Sequence, residues 1–189
     1  YNAVFRNSNI RVNSNILILG IGTIGLLTAQ MCKMKSKNIY LLCLKSEVNK
    51  IRVAKSLGFK KLLFFEDLNS LKYKKFNNYF DNVFDSVGGV PQSFNCALSY
   101  VKPNSSIVKL GWFMNNKNDL NLDTIIRKNI TVKGSFSHNF DIWEKCIKLV
   151  NNKKINLKKI IGRVDDLKNW QSCFNDVINK KYVKVILRS

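Results

Sequence analysis

The chain has 189 residues and a formal net charge of +20, because 32 lysines and arginines face only 12 aspartates and glutamates. This length suffices for one domain with its own hydrophobic core, and the 46% hydrophobic content excludes a disordered chain. With 2 prolines and 9 glycines the collagen-like and proline-rich classes are excluded, whereas the charge suggests a nucleic acid or an anionic membrane as partner.

Short apolar runs alternate with helical patterns along most of the chain. We predict strands at 15–19, 38–44, 61–65, 82–85, 106–110 and 130–133, and helices at 23–34, 46–57, 68–76 and 91–101. Strands separated by helices favour an α/β fold with a six-stranded parallel sheet and helices on both faces. Helices at 140–150 and 167–178 and a strand at 182–187 form a C-terminal helix–strand tail.

A glycine motif, G-x-G-x-x-G, connects the first strand to the first helix through Gly20, Gly22 and Gly25. The first glycine permits a tight turn, the second lets the backbone approach a pyrophosphate, and the third lets helix and strand pack closely. The phosphates then face the amide groups and the positive dipole of the helix N-terminus. The alternative is a turn that needs glycine only for its backbone angles. The strand–turn–helix context favours a Rossmann-type, doubly wound dinucleotide-binding domain.

The end of the second strand bears on the choice of cofactor. An acidic residue there binds the ribose hydroxyls of NAD, but this chain has Lys45 and Ser46 and no acid before Glu47. Lys45 and Ser46 can bind the 2′-phosphate of NADP, which an aspartate would repel, so the sequence favours NADP over NAD. The alternative is that Lys45 is one more exposed lysine in a lysine-rich chain.

Few residues qualify for other chemistry. His138 is the only histidine, and its expected role is at the surface or in packing. Asp81 and Asp85 flank the fourth strand and could form a carboxylate pair, although solvation at the strand edge and turn formation are the favoured explanations. We therefore predict no catalytic residue and no metal site in this chain.

The cysteines and the hydropathy of the sequence bear on the cellular compartment and on membrane association. The 5 cysteines are widely spaced, lack a CxxC pair and fall in apolar patterns, which indicates reduced, buried thiols and a cytoplasmic protein. The longest uncharged stretch, 12–32, contains polar residues and glycines that do not suit a membrane span. No signal peptide is visible. We expect no membrane partner.

Five motifs together resemble those of the medium-chain, zinc-dependent alcohol and polyol dehydrogenases. They are NILILGIGTIGLLTAQMCK, AKSLGFKKLL, FDNVFDSVGG, ITVKGSFSH and the terminal VKVILRS. Their order and spacing fit the family over nearly the whole chain. The motif GSFSH, followed by Trp143 and later by Trp170, is most similar to the sorbitol, iditol and threonine dehydrogenase branch.

The resemblance implies an enzyme in which zinc activates an alcohol or polyol and hydride passes to NAD or NADP. In such enzymes the zinc ligands lie mostly in an N-terminal catalytic domain, so zinc is expected only in the full-length enzyme. The implied organisation is a connecting segment at 1–14, an NAD(P)-binding domain at 15–136 and a segment at 137–189 that returns toward the catalytic domain. The full-length enzyme is expected to be a homo-oligomer, and this portion is expected to be inactive alone and to expose apolar surface on its tail.

The resemblance also implies a set of cofactor contacts. Amides of the glycine turn would hold the pyrophosphate, and basic residues would lie near the adenosine ribose and the phosphates. Backbone near the ends of the fifth and sixth strands would hold the nicotinamide carboxamide. The implied residues are Gly20, Gly22, Thr23, Ile24 and Gly25 at the turn, Lys45 in place of the family's ribose-binding aspartate, Lys50 near the ribose, Val87 after the fourth strand, Leu110 and Ser135 at the carboxamide, and Lys184 at the phosphates.

The main alternative is a basic nucleic-acid-binding module without catalysis. Against it, the lysines occur as scattered pairs, such as Lys60-Lys61 and Lys153-Lys154, and not in long blocks. A lysine- and asparagine-rich coding background explains them as well, so we expect no specific nucleic-acid partner. A methyltransferase, which shares glycine-rich turns, is disfavoured by the missing ribose acid and by the two tail helices.

Overall fold

The computed structural model describes residues 1–112 and 120–189; residues 113–119, inside the predicted cofactor domain, lie outside it. Its main feature is a six-stranded parallel sheet with the order β3-β2-β1-β4-β5-β6. The strands are β1 (Ile16–Leu19), β2 (Ile39–Cys43), β3 (Lys61–Phe64), β4 (Phe80–Asp85), β5 (Val101–Lys109) and β6 (Thr131–Gly134). This confirms the predicted Rossmann-type fold, in which the strand order reverses between β1 and β4.

Helices cover both faces of this sheet. They are α1 (Asn2–Phe5), α2 (Thr23–Cys32), α3 (Val48–Ser56), α4 (Leu71–Lys74), α5 (Gln92–Tyr100) and α6 (Asp123–Arg127), with a 3₁₀ turn at Phe65–Asp67. Successive residues of β1 point to opposite faces. Ile16 and Ile18 therefore join the core beneath α2 and α3, whereas Leu17 and Leu19 join the core beneath α5. All four are buried, so β1 is the centre of both cores.

The C-terminal tail contains more sheet than the sequence predicted. It consists of α7 (Phe140–Asn151), β7 (Ile161–Asp166), a 3₁₀ turn at Leu167–Asn169, α8 (Trp170–Ile178) and β8 (Lys184–Arg188). β7 pairs in parallel with β8, but its sequence, IGRVDD, has a glycine and two aspartates where a strand usually has apolar residues. The predicted helix at 167–178 therefore begins three residues later as α8, after the 3₁₀ turn.

Other boundaries also differ from the prediction. β5 begins at Val101, which pairs with Phe80 before the register shifts, so the strand contains Pro103 where a helix end and a turn were expected. The fourth strand begins at Phe80 and not at residue 82. The short helices α1 and α6 were not predicted, because four or five residues carry too little periodicity to detect.

The tail exposes large apolar side chains, as predicted. Those more than two-fifths exposed include Phe140, Trp143, Trp170, Phe174 and Ile178, and Phe136, immediately before the tail, is exposed as well. Such a concentration of exposed aromatic residues is typical of a surface that another part of a protein covers. Within 1–112 and 120–189, no helix is long and apolar enough to cross a lipid bilayer.

Candidate cofactor-binding site

The glycine turn after β1 has a backbone that only glycine fits at two positions. Gly20 has a φ of +87°, in the left-handed region that L side chains rarely adopt. A Cβ atom on Gly25 would lie 2.0 Å from the carbonyl oxygen of Gly20 and 2.8 Å from Oγ of Ser86. Close packing of α2 on the turn therefore requires glycine at position 25, as the motif predicts.

The N-terminus of α2 is well suited to an anion. Gly22 is its N-cap and provides no side-chain cap, and the first turn contains no acidic residue. The first helical hydrogen bond joins the amide of Leu26 to the carbonyl of Gly22 at 3.0 Å. The helix itself thus provides no acceptor for the amides of Thr23, Ile24 and Gly25, which point along the positive end of the dipole. A Cβ on Gly22 would have nothing within 4 Å, so the space above the turn is open.

A cleft of about 460 Å³ opens at this turn, at the carboxyl ends of β1, β2 and β4. Such a position, where the strand order reverses, is where parallel α/β sheets bind their ligands. Four of the implied contact residues line it, namely Gly20, Gly22, Lys50 and Val87, together with Glu47, Phe65, Ser86 and others. The cleft brings the glycine turn, the end of β2 and the end of β4 to one place.

The remaining implied contacts lie around this cleft and not in it. Ile24, Leu110 and Ser135 line a second cavity of about 410 Å³, together with Tyr1 and Trp143. Thr23 and Lys184 line a third, of about 330 Å³, against α8. The Thr23 hydroxyl donates to the carbonyl of Val183 at 3.1 Å, which ties the start of α2 to the tail. Gly25 is buried beneath the turn.

Lys45 is exposed and turned toward β3. Its side chain is 54% exposed and forms an ion pair with Asp67, and its amide donates to both carboxylate oxygens of Glu66 at 3.0 and 3.2 Å. The hydrogen bond to Asp67 raises the pKa of Lys45. Lys45 is not among the residues that line the cleft.

Glu47 and Lys50 occupy the β2 end of the cleft as a pair. Lys50 Nζ donates to Oε1 of Glu47 at 2.7 Å, and the amide of Leu44 donates to Oε2 at 3.2 Å. Both side chains are largely shielded from solvent. The sequence predicted Lys50 at this site but not Glu47, which lies four residues after Cys43, the last residue of β2. The spacing of three residues between Glu47, the N-cap of α3, and Lys50 is the signal in the sequence that indicates the pair.

A buried polar network fixes the backbone at Val87. Asp85 is fully buried and accepts hydrogen bonds from Lys109 Nζ at 2.7 Å, Ser93 Oγ at 3.0 Å and the amide of Val87 at 3.0 Å. Lys109 Nζ also donates to the carbonyl of Val87 at 2.8 Å. Burial raises the pKa of Asp85, and the Lys109 ammonium opposes that change. Both polar groups of Val87 are thus held by one ion pair that the sequence reasoning did not identify.

This network corrects the expectation for Asp81 and Asp85. The two carboxylates lie at opposite ends of β4, roughly 13 Å apart along the strand, so they do not form a pair. Asp81 binds Lys102 and the amide of Asn15 at the amino end. The expected edge solvation is wrong for Asp85, whose burial follows from its ion pair with Lys109.

The described residues do not provide a zinc site. Among 1–112 and 120–189, no group of three or more histidine, cysteine, aspartate or glutamate residues could hold a metal ion. His138 is exposed and stacks on Trp143 with ring centroids 5.4 Å apart. Four of the five cysteines are buried, as predicted, whereas Cys146 is only half-buried. Zinc chemistry is therefore not assigned to any residue described here.

Comparison with known proteins decides the family. The model of the zinc-binding dehydrogenase family matches residues 23–152, which is more than half of the chain. The chain belongs to this family. The resemblance that the motifs indicated is thereby confirmed.

One relative resembles the chain in sequence, and two solved structures resemble it in fold. A D-arabitol-phosphate dehydrogenase of Enterococcus avium is 27% identical over 190 residues, covering 99% of this chain and 54% of the relative. A zinc-binding dehydrogenase of Sinorhizobium meliloti 1021 bound to NADP has a TM-score of 0.81 at 23% identity, over 97% of this chain and 54% of the other. A dehydrogenase of Escherichia coli CFT073 complexed with NADH has a TM-score of 0.84 at 20% identity, over 98% and 55%. The chain thus spans about half the length of these relatives.

Proposed function

We propose that this chain is the cofactor-binding portion of a zinc-dependent NAD(P) dehydrogenase that transfers hydride between a secondary alcohol, or polyol, and nicotinamide. The observation that carries the proposal is the uncapped N-terminus of α2, which follows the glycine turn and opens on the cleft at the carboxyl edge of the sheet. The turn supplies amides for a pyrophosphate, and the apolar residues of the cleft suit an adenine ring.

The remaining predicted contacts are part of the same proposal. A dinucleotide that extends from the cleft across the start of α2 would pass Ile24, and then Leu110 and Ser135, which share a cavity. Lys184 lines a cavity together with Thr23, the first residue of α2, so we propose that its side chain approaches the phosphates there. The preference for NADP inferred from Lys45 stays a prediction.

The proposed domain organisation has three parts. Residues 1–14 connect to a catalytic domain that supplies the zinc, residues 15–136 bind the cofactor, and residues 137–189 return toward the catalytic domain. Support comes from the exposed aromatic residues of the tail and from the match to about half of each relative. The full-length enzyme is proposed to be a cytoplasmic homo-oligomer that acts on a small alcohol or polyol, with no specific nucleic-acid partner.

Titration with dinucleotides tests the proposal. The 189-residue chain is titrated with NADH and with NADPH while the fluorescence of its 3 tryptophans is followed. We expect saturable quenching by at least one of the two and no oxidation of polyols by the chain alone. Absence of saturable binding by either, from a chain shown to be folded by circular dichroism, would contradict the proposal.

A second experiment addresses the hydride transfer. The chain is produced together with the coding region upstream of Tyr1, loaded with zinc and assayed against a panel of alcohols and polyols. Cofactor reduction that requires both the upstream region and zinc is the expected result. An upstream region without a dehydrogenase-like zinc site would contradict the catalytic part of the proposal and leave the cofactor-binding part intact.

A further inference from the structure

The β2 end of the cleft contains a carboxylate that is fixed in place. Glu47 and Lys50 both line the cleft with Gly20 and Gly22, and their side chains are only 12% and 18% exposed. Each oxygen of Glu47 accepts one hydrogen bond, from Lys50 Nζ or from the amide of Leu44. A carboxylate has about four lone-pair positions. Glu47 therefore keeps acceptor capacity in the wall of the cleft.

A ribose diol satisfies this arrangement well. Its two hydroxyl groups can donate hydrogen bonds to the carboxylate of Glu47, and their oxygens can accept hydrogen bonds from the ammonium of Lys50. The pair therefore offers both an acceptor and a donor to vicinal hydroxyls. Because the carboxylate is already held by Lys50 and Leu44, little ordering is required when the sugar binds.

A 2′-phosphate, in contrast, is disfavoured by the charges at the end of β2. It carries a charge of about −2 at neutral pH, and the end of β2 holds the carboxylates of Glu47, Glu66 and Asp67 against the ammonium groups of Lys45 and Lys50. Both ammonium groups are already paired, Lys45 with Asp67 and Lys50 with Glu47, and the amide of Lys45 is bound to Glu66. The pKa of the nearby Cys43 is raised to about 12, chiefly by burial and additionally by Glu47 and Glu66, as expected in a negative field.

We propose that Glu47 is the ribose-binding carboxylate of this chain, and that Glu47 with Lys50 selects NAD over NADP. This inference rests on the proposed dinucleotide binding and specifies its ligand. It reverses the preference that the sequence suggested, because Lys45 is turned toward Asp67 and Glu47 takes the position facing the cleft. The acid that defines the cofactor thus lies at the N-cap of the following helix and not at the end of the strand.

Six titrations test the inference on the full 189-residue chain. Dissociation constants for NADH and NADPH are measured for the wild type and for Glu47→Gln. The wild type is expected to bind NADH at least about tenfold more tightly than NADPH, since a charge-assisted hydrogen bond is replaced by like-charge repulsion. In Glu47→Gln we expect NADH binding to weaken about tenfold and NADPH binding to strengthen. Glu144→Gln on α7 makes the same charge change away from the cleft, and it should alter neither constant.

The outcomes separate the inference from the function on which it rests. If the folded wild type binds neither dinucleotide, the proposed function fails. A wild type that binds NADPH more tightly, with a preference that Lys45→Met removes, overturns the inference and establishes Lys45 as the phosphate ligand. Equal constants for the two dinucleotides, unchanged in Glu47→Gln, also overturn it. The wild-type ratio alone decides the matter if Glu47→Gln fails to fold.

Discussion

At the level of single residues, the glycine turn is defined by the side chains it lacks. A Cβ on Gly25 would collide with the backbone of Gly20, whereas a Cβ on Gly22 would enter open space. The two glycines therefore serve different purposes, as the motif predicts. Gly25 is required for packing of α2 on β1, and Gly22 keeps the approach to the helix N-terminus clear.

We expect Gly25→Ala to destabilise the fold by about 3 kcal/mol or more, because the 2.0 Å contact involves backbone that must shift. Urea denaturation followed by circular dichroism measures the effect. Gly22→Ala is the matched control. It should cost about 1 kcal/mol or less, as a poorer N-cap, and yet weaken dinucleotide binding. Equal losses of stability in the two variants would contradict the distinction.

The Asp85–Lys109 pair leads to a second prediction. Lys109→Met leaves a fully buried carboxylate without its cation, so we expect a loss of about 3–5 kcal/mol in the free energy of unfolding at neutral pH. The pKa of Asp85 is already raised by burial and should rise further. Because this folded-state pKa lies above the unfolded value, the destabilisation should diminish as the pH falls and the carboxyl group takes up a proton.

Asp85→Asn in the Lys109→Met background serves as the control for this pair. An amide carries no charge, so the double variant should recover part of the lost stability at neutral pH and lose the acid dependence. Chemical denaturation at pH 7 and pH 5 measures both effects. A single variant as stable as the wild type at both pH values would show that the pair does not hold the end of β4.

At the level of elements, the sequence predicted those strands and helices whose pattern is local. β1, β2 and α2 have continuous apolar runs or helical spacing, and the glycine turn between β1 and α2 has a recognised motif. β7 was missed because it is stabilised by pairing with β8 and by its charged contacts, neither of which leaves an apolar pattern in the sequence. The same reason applies to Glu47, since its role depends on which way Lys45 turns.

Charged groups join β7 to α8 through the ion pair of Arg163 with Asp176, and to the turn before α8 through Asp165. This arrangement yields a pH-dependent prediction. Asp165 accepts hydrogen bonds from Asn169 Nδ2, from Arg163 and from the amide of Asp166. These contacts lower the pKa of Asp165 from its ordinary 3.8 to about 2. A lowered folded-state pKa means that the stabilisation is present above the unfolded value and is lost as the pH falls through about 2. We expect Asp165→Asn to lower the melting temperature at pH 6 and to reduce its dependence on pH between 4 and 2.

The comparison variant is Asp123→Asn on α6. It removes the same charge from an exposed residue outside the tail, so its melting curves should follow those of the wild type from pH 6 to pH 2. Tryptophan fluorescence reports on the tail through Trp170, which begins α8. If Asp165→Asn and Asp123→Asn behaved alike, the carboxylate of Asp165 would not link β7 to the turn before α8.

At the level of the whole molecule, the positive charge and the exposed apolar side chains are distributed differently over the chain. Most of the exposed aromatic side chains lie between Phe136 and Phe174, with Trp112 as the exception among the described residues, whereas lysines occur throughout the sequence. The exposed aromatic side chains thus indicate an interface that covers the tail, while the charge of +20 is spread over the sequence. The cleft itself combines Lys50 with Glu47 and is lined mainly by apolar residues, which suits a nucleoside better than a polyanion.

The scattered charge predicts weak binding to nucleic acids without selectivity. We expect duplex DNA to bind with a dissociation constant on the order of 10⁻⁴ to 10⁻⁶ M at physiological salt, with equal affinity for unrelated sequences. Affinity should fall steeply as salt rises, because binding releases counterions from phosphates, whereas the affinity for NADH should change far less since the cleft is largely apolar. Fluorescence anisotropy with two unrelated duplexes at several salt concentrations measures the DNA affinity, its selectivity and its salt dependence. NADH added as a competitor shows whether DNA and dinucleotide bind at the same place. Selectivity of about 10³ between duplexes, in the range of specific DNA-binding proteins, would instead require a nucleic-acid function alongside dinucleotide binding.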